Sequence, residues 1–387
     1  MSKYEVKNVF LIILVLLCAC RRGKEEVGER SSMNAVAWPI FRGDTGLSGL
    51  AKDKLPGKLA LLWVFQSKAG IVSSPVIGFG KVYIGSTDGN IYALHLKDGS
   101  RAWKFETGDD VEAPPLLVEQ TIYVGSLSGD FFALDSHTGK MSWKYKTGNS
   151  IYGSANWLRN PDTGEILVLV GSHDNKMYCF SAADGKLQWC YETTHYINGA
   201  PAVKDENIVF GGCDEKLHIL AALSGKKKGE VKAGSYIPGS AAIDGDKAYL
   251  GHYGRKLICI DIREKRIAWE YENKEHSDSF FSSPAVGGKR VVIGSRDGYL
   301  HCVKRETGEL LWVSRTLDAI DSSPVIADDK VVCASTDGRL YVLSLKDGEK
   351  LWSYEIGAAM AGCPAVAGGM IVIGADDGRV YAFGEGS

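Results

Sequence analysis

The run Lys81-Val82-Tyr83-Ile84-Gly85-Ser86-Thr87-Asp88-Gly89 is followed by Ile91-Tyr92-Ala93-Leu94, Lys97-Asp98-Gly99 and Trp103-Lys104-Phe105-Glu106-Thr107-Gly108. Short runs of β-branched and aromatic residues broken by Asp-Gly turns are the signature of strands joined by hairpins. With the preceding Ser74-Pro75-Val76, the unit holds four such runs, which predicts a four-stranded antiparallel sheet. The unit then recurs. Trp63, Trp103, Trp143, Trp189, Trp269, Trp312 and Trp352 are separated by 40, 40, 46, 80, 43 and 40 residues, with Gly229 standing where one Trp is missing. A period of about 40 residues marks an array of like supersecondary units.

The turns keep strict register. Gly89, Gly129, Asn175, Glu215, Arg255, Gly298 and Gly338 occupy the first turn, and ten residues later come Gly99, Gly139, Gly185, Gly225, Lys265, Gly308 and Gly348. A one-residue slip would turn a strand's apolar face to water, so the length between turns is fixed. The eighth unit begins at Cys363-Pro364-Ala365-Val366 and stops before its fourth strand, while Leu59–Lys68 carries Trp63 with no strands before it. Leu61–Gln66 is therefore expected to supply the last strand of the eighth sheet. The predicted fold is all-β, a single eight-bladed β-propeller over residues 59–387, closed by the N-terminal strand so that no sheet edge stays open.

Residues 1–20 stand outside this ring. Lys3 and Lys7 precede an uncharged apolar run from Val9 to Cys20, too short for a membrane span and suited to an export signal. Leu17-Cys18-Ala19-Cys20 resembles the lipobox of bacterial lipoproteins, which implies acylation at Cys20, with Cys18 where Ser, Ala or Thr is usual. Arg21 after that Cys, by resemblance to enteric sorting, implies the outer membrane. Residues 21–58 read as a charged, flexible tether ending in the aromatic segment Trp38-Pro39-Ile40-Phe41-Arg42-Gly43-Asp44, which is expected to pack on the ring. A formal charge of −2 gives no footing for nucleic acid.

Ala133-x-Asp135-x-x-Thr138-Gly139-Lys140-x-x-Trp143 resembles the tryptophan-docking repeat of the PQQ-repeat, quinoprotein-type propellers. Each Trp is then a structural docking residue wedged between blades. Family enzymes hold pyrroloquinoline quinone and calcium with the help of two adjacent cysteines, and this chain has no Cys-Cys pair. Its size, single ring and lipobox are similar to the BamB-like lipoproteins of outer-membrane β-barrel assembly. That resemblance implies a non-catalytic envelope scaffold with protein partners, a membrane anchor and no cofactor.

Two alternatives follow from residues at the expected pore mouth. Glu112, Asn198 and Asp321 are the polar oxygen donors among residues entering the first strands, so they are the candidate ligands if a quinone or calcium site exists. Tyr152, Tyr196, Tyr236, Phe280 and Phe281 near the pore would suit a glycan- or peptide-binding sensor. The Asp-Gly repeats at Asp88, Asp297, Asp337 and Asp377 read as turn chemistry rather than a calcium cage. Cys179, Cys259 and Cys302 share a buried slot with Ala93, and Cys179 and Cys190 flank one turn symmetrically enough to allow a disulfide.

Overall fold

The computed structural model describes residues 37–276 and 278–386, so the export signal and Cys20 lie outside the described residues. Eight antiparallel sheets form a ring. Blade 1 runs outward from the axis as strand A (Val76–Gly78), B (Lys81–Gly85), C (Asn90–His95) and D (Arg101–Glu106). Blades 2 to 8 repeat this from inner strands Leu116–Val118, Asn156–Arg159, Ala202–Lys204, Ala242–Asp244, Ala285–Gly287, Val325–Ala327 and Ala365–Ala367. The outer strand of blade 8 is Leu59–Gln66, paired antiparallel with Arg379–Glu385, which closes the ring. The strand polarity gives the ring two faces. The A–B and C–D turns lie on one, here the turn face. The D–A connections and B–C turns lie on the other, the mouth face.

Blade contacts are made by the repeated Trp. An ideal Cβ added to Gly185 would meet the Trp143 ring at 2.7 Å, and Gly139 stands equally close to Trp103. These glycines have φ of about +70°, so both the left-handed turn and the approach of the indole demand glycine. Each indole N–H then reaches across the junction. Trp63 donates to Leu96 O, Trp103 to Ser136 O, Trp143 to Ala182 O, Trp269 to Arg305 O, Trp312 to Leu345 O and Trp352 to Leu59 O, at 2.9–3.1 Å. Trp189 keeps the packing over Gly225 but has no acceptor for its N–H among the described residues.

The aromatic segment before the ring threads it. Trp38 forms an antiparallel bridge with Ile77, so the chain enters from the turn face alongside strand A of blade 1. From there its carbonyls circle the axis in chain order. Ile77 N donates to Trp38 O, Leu117 N to Pro39 O, Val203 N to Thr45 O, Ile243 N to Gly46 O, Val286 N to Ser48 O and Ile326 N to Gly49 O, all at 2.7–2.8 Å. Blade 3 substitutes a side chain, since Asn156 Nδ2 donates to Thr45 O at 2.8 Å while Trp157 N donates to Asn156 Oδ1. Leu50–Ala51 then pairs in parallel with Val325–Ala327, and Gly368 N in blade 8 donates to Asp53 Oδ2. Inner strands of a ring expose one edge to the channel, and this plug satisfies that edge blade by blade. Ile40, Phe41 and Leu47 fill the axis against Ala113, Ala155, Ala200, Ala241 and Cys363.

The Asp-Gly turns have a second function. Asp88 Oδ1 accepts from Asn90 N within the turn, while its Oδ2 accepts from the Tyr92 hydroxyl at 2.6 Å and from Lys68 N of the preceding connection. Asp174–Tyr178, Asp337–Tyr341 and Asp377–Tyr381 repeat the pair, His replaces Tyr in Asp214–His218, and in Asp297–His301 the two groups face each other at 3.4 Å without a hydrogen bond. Where the turn residue is Ser128 or Gly254, the strand residue four later is Phe132 or Ile258, which needs no acceptor.

All seven cysteines of the described residues are free. The symmetric placement of Cys179 and Cys190 does not lead to a disulfide. Their strands pair Cys179 with Trp189 and Cys190 with Tyr178, which sends the two thiols to opposite faces of the sheet, one buried and one exposed.

Candidate functional site

Below the mouth, the residue two positions before strand A forms a belt through blades 4 to 8 and blade 1. Ala200 N donates to Ser240 Oγ, Ser240 N to Ser283 Oγ, Ser283 N to Ser323 Oγ, Ser323 N to Cys363 Sγ and Cys363 N to Ser74 Oγ, at 2.8–3.1 Å. Five consecutive junctions are thereby tied side chain to backbone, and the loops above them rest on a fixed rim. That rigidity suits a surface that binds without rearranging.

The mouth is an arc of aromatic rings running from blade 3 to blade 6. His173 is sandwiched between Tyr152, with centroids 4.4 Å apart, and Tyr196, at 4.8 Å and nearly parallel. Further round, Tyr236 meets Tyr253 and Tyr253 meets Phe281 at 4.6 Å. The Arg296 guanidinium lies 3.4 Å above the Phe281 centroid. Tyr152, Tyr196, Tyr236 and Tyr253 are between 37% and 49% exposed, which is high for rings that already stack on neighbours. His173 and Tyr253 belong to B–C turns rather than to the connections that sequence reasoning inspected, so they were missed. Phe280, expected at the mouth, is buried in the junction against Gly251 and His301. It fills the apolar slot held elsewhere by Ile71 or Val111.

The three candidate oxygen donors are scattered around this arc. Asp321 gives both carboxylate oxygens to Arg296, at 2.8 Å each. Asn198 Oδ1 is 2.8 Å from His173 Nε2, and its Nδ2 donates to Cys213 Sγ. Glu112 is half-buried, and desolvation together with the nearby Asp110 charge raises its pKa. Burial lowers the His173 pKa despite the bond to Asn198, which favours the neutral ring within its stack. No group of three or more His, Cys, Asp or Glu among the described residues is arranged to hold a metal ion. A calcium-bound quinone would have to break the Asp321–Arg296 pair and the Asn198–His173 bond, so these residues do not fit that cofactor.

The model of the family described as outer membrane protein assembly factor BamB matches residues 53–157, 87–280 and 273–385. No curated protein matches the chain. Among solved structures, BamB from Moraxella catarrhalis superposes with a TM-score of 0.72 at 19% identity, covering 85% of this chain and 100% of that one. The computationally designed Ika8 protein gives 0.73 at 16%, over 84% of this chain and 99% of its own. A europium-containing methanol dehydrogenase gives 0.76 at 13%, over 92% and 100%. An assembly factor, a designed protein and an enzyme share the ring, so the likeness of structures speaks for fold alone.

Proposed function

The chain belongs to the outer membrane protein assembly factor BamB family, and from that premise we propose that it is a non-catalytic, lipid-anchored envelope scaffold that docks protein partners at its aromatic mouth. The carrying observation is the exposed arc of Tyr152, Tyr196, Tyr236 and Tyr253 on the face opposite the one by which Trp38 enters the ring. With acyl chains on Cys20, the anchor leads into the ring on the side where Trp38 enters it. The turn face then looks toward the membrane and the mouth toward the periplasm. Envelope proteins, subunits of the β-barrel assembly machinery first among them, are the partners that this orientation serves.

Stacked tyrosines on a rigid rim favour protein docking because they bury large area with little side-chain entropy to lose. Catalysis by a quinone has no support in the donor set, since Asp321 and Asn198 are both engaged. The test is a photo-crosslinking residue at Tyr236 in the full-length anchored chain, with a matched position at Lys97 on the turn face. Adducts with a β-barrel assembly subunit from Tyr236 alone support the reading. Equal adducts from both faces, or turnover of an alcohol with added quinone and calcium, would overturn it. Saturable glycan binding lost on removing the mouth tyrosines would replace it with the sensor reading.

A further inference from the structure

Arg42 sits at the centre of the ring, 1% exposed, with a φ of +66°. Its guanidinium donates from Nη1 to Pro324 O at 2.5 Å and from Nη2 to Pro284 O at 3.0 Å, which accounts for two of its five N–H groups. Its Nε–H is fully buried with no acceptor among the described residues. Burial pulls its pKa down to about 10, so the group is still a cation at neutral pH. Cys363 and then Asp44 pull it back up, but the Cys363 sulfur accepts from Ser323 N and the Asp44 carboxylate is taken up by the Ser48 N–H and hydroxyl. A buried charge left with carbonyl dipoles alone is costly.

The surroundings are rich in donors. Pro284 and Pro324 directly follow Ser283 and Ser323 of the belt, so the guanidinium lies at belt level. The hydroxyls of Ser74, Ser240, Ser283 and Ser323 each accept a backbone N–H and have no acceptor for their own proton among the described residues. Donors without acceptors beside an unpaired cation call for a negative guest. The backbone of Arg42 is held in the left-handed region, as is that of Leu47 in the same segment.

We propose that the ring axis holds a small monovalent anion of halide size between the Arg42 Nε–H and the belt hydroxyls of Ser283 and Ser323. The anion neutralises the plug's only buried guanidinium and locks the N-terminal segment to blades 6 and 7.

The experiment is thermal unfolding of the mature chain, residues 21–387, in sodium gluconate with bromide replacing gluconate at constant ionic strength. The midpoint is expected to rise with bromide and saturate, and crystals grown in bromide should show an anomalous peak within hydrogen-bond distance of Arg42 Nε. Ser283→Ala with Ser323→Ala should raise the half-saturating bromide several-fold, and Arg42→Met should abolish the dependence. The same midpoint in bromide and gluconate, or a wild-type crystal with water and no anomalous peak at Nε, would overturn the proposal even if Arg42→Met fails to fold.

Discussion

The alkyl chain of Lys265 lies across Gly229, where a Cβ on Gly229 would meet the Lys265 Cδ at 2.8 Å. At the neighbouring junctions the same contact is an indole over a glycine, as with Trp269 over Gly308. The missing Trp and the missing turn glycine are therefore one exchange seen from its two sides. Lys265 holds φ at +54°, a conformation that costs a non-glycine residue about 1–2 kcal/mol.

This exchange makes a double-mutant cycle informative. Gly229→Trp alone must displace Lys265, and Lys265→Gly alone relieves the turn but uncovers Gly229. Together they rebuild the standard junction, so the pair should be more stable than the sum of the single changes by about 1 kcal/mol or more. Urea unfolding of the four proteins decides it. Strict additivity would contradict the exchange.

Trp143→Ala should cost about 3–5 kcal/mol, because the indole fills the junction and donates to Ala182 O. Gly185→Ala attacks the same contact from the other blade and meets a φ of +71° as well. The two losses should be far from additive. A Trp143→Ala variant within 1 kcal/mol of wild type in chemical unfolding would remove the docking role.

The Asp–Tyr pairs should set the acid limb of stability. Burial alone would raise the Asp88 pKa, but bonds from Tyr92, Asn90, Lys68 N and Ser86 outweigh it and the net shift is downward. A carboxylate depressed in the folded state contributes stability above its unfolded pKa, and that contribution disappears as pH falls through the folded value. Tyr92→Phe should cost about 1–2 kcal/mol at neutral pH and progressively less toward pH 2. A pH-independent loss would contradict it.

Glu112 carries the opposite sign. Its pKa is raised by desolvation first and by Asp110 second, so the folded state favours the protonated form. Stability should fall as pH rises from the unfolded value through the folded one. Glu112→Gln should be more stable than wild type at pH 7 and equal to it near pH 3. Thermal midpoints across that range measure the difference.

The ring was legible because each blade repeats the same local chemistry. Turn glycines, alternating strands and the Trp positions recur so regularly that the closure through Leu59–Gln66 follows from the missing strand at the C-terminal end. The plug was not legible. Trp38–Leu50 makes no periodic pattern, because it pairs through carbonyls of Trp38, Pro39, Thr45, Gly46, Ser48 and Gly49, and any residue supplies a carbonyl. In the sequence Arg42 is one residue of an aromatic segment expected to pack on the ring, and only the assembled ring shows it against Pro284 O and Pro324 O. The mouth was half legible. Connections were inspected for Tyr152 and Tyr196, but the ring between them, His173, comes from a turn read only for its geometry.

The most direct measurement is the affinity of the mature chain for a purified β-barrel assembly subunit, compared across two triple variants of equal stability. Tyr196→Ser, Tyr236→Ser and Tyr253→Ser together empty the mouth, while substitutions at Lys97, Lys140 and Lys226 alter the turn face. The expected result is a loss of at least tenfold for the mouth variant and none for the turn-face variant. Equal affinity in all three proteins, with the fold intact, would contradict docking at the mouth.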